Sequence, residues 1–267
     1  MTDFLGIICP KCLSPLKVEG NTLKCSNGHC YDISSQGYVN LLPPHKGGSV
    51  PGDNKEMVRA RRTFLNNGYY KPLADELARI TAELCPSFVA DIGCGEGYYT
   101  SRIKQEAKAT VKGFDISKFA LAYAAKAYKD IDFCVANLHS LPMADNTADV
   151  ITCCFCAHDE NEFARVLKDG GYFILVTPGA KHLFSLKSVV YDDPYENPAD
   201  EALIPNFELT DTKELCFDFT VNGEDIWNLF SMTPYFWKSP KEGAQRLRQL
   251  ASLTTTADFV IRIYRKK

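Results

Sequence analysis

The sequence lacks several features, and each absence narrows the class of protein that it encodes. None of its apolar runs approaches the roughly 20 residues that a membrane-spanning helix needs. Its first residues contain no basic region followed by an apolar stretch, so a secretory signal is not expected. The formal net charge is only −3, which argues against indiscriminate binding of nucleic acid. The sequence therefore predicts a cytoplasmic protein with no membrane partner.

Cysteine is abundant by comparison, with eleven in 267 residues. An odd number does not suit a disulfide framework, and Cys134, Cys153, Cys154 and Cys156 all lie in or beside apolar runs. We predict that these cysteines are small buried hydrophobic residues in a reducing compartment. The length allows one large α/β core and a small additional module.

The first cysteines form a separate pattern. Cys9 and Cys12 are two residues apart, twelve residues separate Cys12 from Cys25, and His29 follows after three more. This spacing predicts a structural zinc site in which two knuckles each present two ligands. Cys30 is nearly as plausible as His29 for the fourth ligand, and we prefer His29. Four protein ligands leave no open position on the ion, so catalysis there is not expected.

A glycine turn follows the apolar residues 88–90 and precedes an amphipathic segment. The turn reads Asp-Ile-Gly-Cys-Gly-Glu-Gly from Asp91, so its first glycines are Gly93 and Gly95. Glycine lets the backbone approach a ligand closely, and the following helix offers free N–H groups. Asp115 ends the next apolar run and could hold a ribose diol. The turn looks like motif I of the class I S-adenosylmethionine (SAM) methyltransferases; a dinucleotide site and a purely structural turn are the alternatives.

Apolar runs and amphipathic segments alternate after this turn. Strands are predicted at 88–92, 110–114, 131–135, 150–154 and 172–177. Helices between them predict a parallel sheet that is covered on both faces. Runs at 215–221 and 259–264 are expected to form an antiparallel pair at the sheet edge.

The residues before the first strand divide into two parts. Residues 1–36 are predicted to form the zinc-binding ribbon, and 37–87 a linker with helices, which leaves 88–267 for the large domain. Within the middle part, 37–52 is rich in glycine and proline and reads as a linker. Asp53 followed by Glu56 resembles a capping box, so we predict that Asp53 is the N-cap of a helix that Gly68 ends.

Charge is segregated along the chain. The stretch 46–71 has six basic residues against two acidic ones, 238–267 has eight against two, and 192–225 has eleven acids and one lysine. If the two basic stretches share a face, they form an electrostatic footprint for RNA. If they do not, they are ordinary solvated charges.

Several short sequence motifs that are unrelated to generic SAM binding occur beside these features. They are Gly-Tyr-Val-Asn-Leu-Leu-Pro from Gly37, Pro-Gly-Asp from Pro51, Ala-Arg-Arg-x-Phe-Leu from Ala60, Thr-Pro-Gly from Thr177 and Met-Thr-Pro from Met232. Together with the ribbon and the glycine turn, they resemble the RlmA family of 23S rRNA guanine-N1 methyltransferases over essentially the whole chain. The resemblance implies a class I SAM-dependent methyltransferase fold, Rossmann-like with a mostly parallel sheet, and an N-terminal zinc ribbon. It also implies methylation of N1 of one guanine in a hairpin loop of domain II of 23S rRNA, usually by a homodimer.

The resemblance also implies particular site residues. The zinc ligands would be Cys9, Cys12, Cys25 and His29. The SAM contacts would be Tyr70, Tyr99, Thr100 and His182, joined by the generic Asp91, Gly93, Gly95 and Asp115. The chain departs from its relatives at 153–158, a region that normally faces the target base.

Guanine N1 carries a proton at neutral pH, so the enzyme must remove that proton from an unpaired or extruded base. Such a base stacks on aromatic side chains, and the candidates are Tyr69, Phe155, Tyr235, Phe236 and Trp237. His158, Asp159 and Glu160 follow the fourth strand and are candidates for the proton acceptor, although Asp159 is equally plausible as a helix N-cap. No catalytic base is assigned.

Arg59, Arg61 and Arg62 could bind phosphates. Two other functions remain as alternatives for this sequence. One is methylation of a small molecule, and the other is a non-catalytic role in ribosome assembly in which SAM is only a structural ligand.

Overall fold

The computed structural model describes residues 4–43, 51–198 and 202–267. Part of the predicted linker, including Lys46, lies outside the described residues, as does part of the acidic stretch. The strands are β1 (Lys17–Glu19), β2 (Thr22–Lys24), β3 (Cys30–Asp32), β4 (Tyr38–Asn40), β5 (Phe88–Ile92), β6 (Thr110–Asp115), β7 (Asp132–Val135), β8 (Ala148–Cys154), β9 (Leu167–Pro178), β10 (Phe207–Asn222) and β11 (Ser252–Lys266). The helices are α1 (Lys55–Asn66), α2 (Lys71–Glu83), α3 (Tyr98–Ala107), α4 (Lys118–Ala127), α5 (Glu160–Val166), α6 (Phe184–Val190), α7 (Glu224–Ser231), α8 (Tyr235–Lys238) and α9 (Lys241–Arg248).

The large sheet has the order β10-β11-β9-β8-β5-β6-β7-β4. Its strands from β9 to β4 run parallel, and β11 pairs antiparallel with both β9 and β10. All five predicted parallel strands are present, and the predicted edge pair is confirmed with Leu215 opposite Phe259. The mostly parallel α/β fold is therefore confirmed. Within the described residues, no helix is long and apolar enough to cross a membrane.

The short strand β4 corrects the linker prediction. Residues 38–40 pair in parallel with β7, with Val39 opposite Cys134, and Val39 is fully buried. The flanking glycines and prolines suggested a linker, but the apolar residues between them extend the sheet. The segment after the ribbon is thus part of the large domain's sheet.

Two large apolar cores lie on the two faces of this sheet, and a third, smaller one lies between α4 and β7. One contains Phe64, Tyr70 and Phe259 together with residues of α2, α6 and α7. The other joins Phe173 of β9 to the amino-terminal module, whose Phe4, Ile7, Leu16 and Leu23 are buried in the same cluster. The strands β1, β2 and β3 form a separate three-stranded sheet. The ribbon therefore packs on the large domain through a shared core.

The start of α1 differs from the prediction. Asn54 is the N-cap, and its side-chain oxygen accepts hydrogen bonds from the backbone N–H groups of Glu56 and Met57, both at 3.0 Å. Asp53 instead forms an ion pair with Arg61, which lies in the middle of α1. The capping-box prediction was wrong because Asp and Asn are both good N-caps and the sequence places them side by side.

Candidate active site and metal centre

Four side chains of the ribbon converge on one point. The ligand atoms of Cys9, Cys12, Cys25 and His29 all lie within 4.8 Å of one another. Nδ1 of His29 lies 3.4 Å from Sγ of both Cys9 and Cys25, and the Sγ atoms of Cys12 and Cys25 are 3.6 Å apart. Tetrahedral bonds to zinc separate neighbouring sulfur ligands by about 3.8 Å. The donor set and spacing thus fit a zinc ion.

The neighbours of this cluster also suit a metal centre. The hydroxyl of Tyr31 lies 3.1 Å from Sγ of Cys9, where it can donate a hydrogen bond to a thiolate. Cys30 lies outside the cluster, is exposed and directs its thiol to the carbonyl oxygen of Gly28 at 3.5 Å. We therefore propose Cys9, Cys12, Cys25 and His29 as the ligands.

We expect one equivalent of zinc per chain by elemental analysis. Cys9→Ser should remove most of it, because the hydroxyl is a much weaker zinc ligand than a thiolate. Cys30→Ser is the matched control and should keep the full equivalent. Full zinc content in Cys9→Ser, or loss in Cys30→Ser, would contradict this ligand set.

The three glycines of the turn after β5 serve different purposes. A Cβ on Gly93 would lie 2.5 Å from Cβ of Cys156, and one on Gly97 would lie 3.1 Å from Cβ of Ala124. Both glycines therefore allow protein segments to pack together. At Gly95, whose φ is +56°, a Cβ would meet only Nη1 of Arg61 within 4 Å in the described part of the chain, at 3.9 Å. Gly95 is thus the glycine that leaves open space between the turn and Arg61, and this space is called the cleft below.

Two aspartates fix the shape of this turn. Asp115 accepts hydrogen bonds from the N–H groups of Gly95 at 2.9 Å and Ser117 at 2.7 Å, which leaves lone pairs for a ribose diol. Asp91 is buried, and its oxygens accept hydrogen bonds from Thr100 at 2.6 Å and Thr152 at 2.7 Å. Burial raises the pKa of Asp91 to about 6, despite these two hydrogen bonds. Asp91 and Thr100, both predicted as SAM contacts, thus also join β5, α3 and β8 to one another.

Tyr70 and His182 form a wall beside the turn. Nδ1 of His182 accepts a hydrogen bond from the backbone N–H of Asp258 at 3.2 Å. Burial lowers the pKa of His182 to about 3, so the ring is neutral and carries its proton on Nε2, 3.4 Å from the hydroxyl of Tyr70. Nε2 then donates to the Tyr70 oxygen, and the Tyr70 proton is free to donate elsewhere. Burial also raises the pKa of Tyr99 well above its usual value, so both tyrosines are neutral donors.

Two charged residues at this site were missed by sequence reasoning as ligand-binding candidates. Glu96 is 6% exposed, and its Oε2 has no hydrogen-bond partner among the described residues. Burial raises the pKa of Glu96 to about 7, although Arg61 opposes this shift. Arg61 reaches over the glycine turn and was expected to bind RNA. The signal in the sequence was Glu96 itself, a charged residue between two glycines.

The turn after β8 corrects the cysteine prediction. Cys153 and Cys156 form a disulfide with a Cα–Cα distance of 5.8 Å, whereas Cys134 and Cys154 are free and buried as predicted. Phe155, which lies between Cys153 and Cys156, has a φ of +57°. This left-handed backbone turns the chain back so that the sulfurs of the two cysteines meet. The side chain of Phe155 is 42% exposed and lies roughly parallel to His182, with ring centroids 6.2 Å apart.

The candidate proton acceptors after this turn are placed differently. Asp159 is the N-cap of α5, where its Oδ1 accepts from the N–H groups of Asn161 and Glu162 at 3.2 and 3.0 Å, so the capping alternative is confirmed. The ring of His158 packs 5.8 Å from Phe173, in the core on the opposite face of the sheet from Tyr70. The structure therefore does not bring His158 to the wall formed by Tyr70 and His182.

The basic stretches are divided by the fold. Arg61 is held by Asp53, whereas Arg59 is exposed and Arg62 lies over the ring of Tyr123 at 5.1 Å. The second stretch includes β11, which runs antiparallel to β9, with Phe259 opposite Pro178 and Arg265 opposite Tyr172. β11 therefore carries its last basic residues to the end of the sheet where β9 begins. Only the part in α8 and α9 remains on the side of the glycine turn.

A glycine turn at the carboxyl end of β5, an acid at the end of β6 and an antiparallel β11 define a class I SAM-dependent methyltransferase, here with a zinc ribbon. A family model described as a methyltransferase domain matches residues 90–175, and one described as RlmA, N-terminal, matches residues 7–49. The chain belongs to the RlmA family of 23S rRNA guanine-N1 methyltransferases.

Full-length relatives support this membership. A Streptomyces fradiae protein named 23S rRNA (guanine(748)-N(1))-methyltransferase is 32% identical over 92% of this chain and 91% of its own length. YxjB of Bacillus subtilis (strain 168) is 31% identical over 98% of this chain and 97% of its own. Among solved structures, the cyclase SpnF is similar in fold, with a TM-score of 0.52 at 16% identity over 82% of this chain and 99% of SpnF.

Proposed function

We propose that this protein transfers a methyl group from SAM to N1 of one guanine in a hairpin loop of domain II of 23S rRNA. The observation that carries the proposal is the similarity to the Streptomyces fradiae enzyme, which extends over nine tenths of both chains. SAM supplies an activated methyl group on its sulfonium. The protein's own task is then to hold the guanine in line with that group and to exclude water.

The exposed ring of Phe155 supports an extruded base as the substrate. Phe155 follows β8 at the carboxyl edge of the sheet, on the same side as the glycine turn. Its ring lies 5.6 Å from Phe259 and roughly parallel to His182, so the aromatic wall continues from the buried Tyr70 out to solvent. A flipped guanine can stack on such a surface while its Watson–Crick edge, which carries N1, faces inwards.

The segment around α8 supports RNA as the larger substrate. The hydroxyl of Tyr235 lies 3.3 Å from Oδ1 of Asn197, whose Nδ2 donates to the carbonyl oxygen of Gly179 at 2.8 Å, so α8 lies beside the loop that carries His182. Trp237 is 63% exposed, and Lys238 and Lys241 are exposed next to it. Exposed aromatic and basic residues beside an active site are typical of single-stranded RNA contacts.

The wider assignments follow the family. We propose that the protein acts as a homodimer in the cytoplasm, where rRNA is assembled into ribosomes, and that residues 1–36 form a ribbon that contributes to RNA recognition. Exposed Lys11 and Leu13 at the first metal knuckle are available for such contacts.

The decisive test is methylation of a transcript of the domain II hairpin by the purified protein with labelled SAM. We expect one methyl group per transcript and a reverse-transcription stop at a single guanine, because a methyl group on N1 blocks Watson–Crick pairing. Replacing that guanine by adenine should abolish incorporation. Labelling of small-molecule acceptors but not of the transcript would contradict the proposal.

A further inference from the structure

A small cavity lies between α7 and α9. Its volume is about 290 Å³, and the residues that line it all come from 223–250. Sites for small ligands begin at about 300 Å³, so the cavity suits a single aromatic ring system rather than a whole cofactor. The buried side chains of Ile226 and Leu247 give it an apolar floor.

A stacked pair of planar side chains borders this cavity. The guanidinium of Arg248 lies over the indole of Trp227, 3.7 Å from the ring centroid. Trp227 is half-buried and Arg248 is exposed, so one face of the guanidinium covers the indole and the other is turned outwards. Indole and guanidinium planes are the surfaces on which proteins stack unpaired nucleobases.

The charges around the cavity favour a base over a phosphate group as its occupant. The carboxylate of Glu224 also lines the cavity. It repels a phosphate, but it can accept hydrogen bonds from the N–H groups on the edge of a base. Exposed Lys238 and Lys241 lie in the α8–α9 segment that leads to Arg248, where they attract the RNA backbone.

The register of the sheet places the cavity on the same side as the active site. β10 runs parallel to β9 and ends beside the start of β11, where the N–H of Gly223 donates to the carbonyl oxygen of Ala251 at 3.1 Å. β11 meets the carboxyl end of β9 only at Phe259, whose ring lies 4.9 Å from that of His182. Six residues of β11 separate Leu253 from Phe259, which is about 20 Å. A few single-stranded nucleotides span that distance.

We propose that the cavity between α7 and α9 binds a second unpaired nucleobase of the RNA whose guanine enters the active site. The base contacts the stacked pair of Trp227 and Arg248, and Glu224 accepts a hydrogen bond from its edge. This inference rests on the proposed function. It fixes two nucleotides of one loop at a set distance, so the protein selects loops that can reach both places.

Binding of a transcript of the domain II hairpin tests this site through Arg248→Lys. The measurement is made with S-adenosylhomocysteine, the demethylated form of SAM, so that no methyl transfer takes place. Lysine keeps the charge but loses the planar group. We therefore expect the Kd for the transcript to rise about 5- to 100-fold, the effect of losing one stacked base. Arg265→Lys is the matched control and should leave the Kd unchanged, because Arg265 is exposed at the other end of the sheet, opposite Tyr172.

Tryptophan fluorescence reports on the cavity directly. The chain has two tryptophans, Trp227 and Trp237, so Trp237→Phe leaves Trp227 as the only one. A base that enters the cavity should quench the emission of Trp227 as transcript is added, up to a plateau at saturation. A fully paired RNA duplex of the same length should leave the emission unchanged, because it presents no unpaired base.

Three results would overturn the proposal. Wild-type affinity in Arg248→Lys, with a loss only in Arg248→Gln, would assign Arg248 to a phosphate contact. Unquenched Trp227 emission at saturating transcript would exclude a base from the cavity, whereas methylation of the same transcript would leave the proposed function intact. A transcript that was neither bound nor methylated would contradict the proposed function and the base site together.

Discussion

Gly95→Leu should lower the affinity for S-adenosylhomocysteine by at least about 100-fold, which corresponds to about 2.7 kcal/mol. The new side chain would point towards Arg61, into the part of the cleft that Gly95 keeps open. It would also force a leucine into a φ of +56°, which costs about 1–2 kcal/mol for a residue with a Cβ. Isothermal titration calorimetry measures the affinity, and the zinc content should stay at one equivalent.

Gly20→Leu is the matched control for this substitution. Gly20 has a similar φ of +63°, and apart from Gly20 and its two chain neighbours no described residue has an atom within 4 Å of its missing Cβ. The control therefore introduces similar backbone strain in the turn between β1 and β2, which is distant in sequence from the cleft. It should bind S-adenosylhomocysteine like the wild type. Equal affinities in Gly95→Leu and the wild type would mean that the ligand does not pass Gly95.

Deletion of the residues before Asp53 should unfold the methyltransferase domain. The deletion removes β4 and several buried side chains, which are Phe4, Ile7, Leu16, Leu23, Val39 and Leu41. Each contributes about 1.5–3 kcal/mol, so the six together approach the whole stability of a domain, about 5–15 kcal/mol. Thermal unfolding followed by circular dichroism should show no cooperative transition, and binding of S-adenosylhomocysteine should be lost.

The deletion also exposes a buried ion pair. Lys112 and Asp132 are paired beneath Phe4, whose backbone N–H donates to Asp132 at 3.0 Å. The sequence analysis separated a zinc-binding ribbon at 1–36 from the large domain at 88–267, whereas the structure joins them through a shared core. A truncated chain that melted cooperatively and bound the ligand would restore that view. Lys11→Gln with Leu13→Ser, at the exposed metal knuckle, is the cleaner test of RNA recognition because it leaves the core intact.

Much of the fold could be predicted because it depends on patterns that are local in sequence. The strand at 88–92 was predicted with its observed bounds, since an apolar run there ends at a glycine turn. The parallel order followed from the helices between the strands. β4 was missed because three residues carry little periodicity, and their partner, β7, lies more than ninety residues later in the chain.

The site was predicted less completely, for a physical reason. Asp115 and the four ribbon residues follow recognisable spacings. The structure brings the four ribbon residues together and places Asp115 beside Gly95. The position of Arg61 beside the turn depends on which way α1 faces, and the raised pKa of Glu96 depends on its burial. Neither property is local in the sequence. The same holds for Cys153 and Cys156, whose pairing needs the left-handed backbone of Phe155.

The pairing of β4 with β7 also bears on how the chain folds as it is synthesised. Without β4, β7 would be the last strand on its side of the sheet, with free backbone groups that could recruit a strand from another molecule. A ribosome releases β4 long before β7, because synthesis proceeds from the amino terminus. β4 is therefore available to pair with β7 as soon as β7 leaves the ribosome, which shortens the time for which the backbone groups of β7 are exposed.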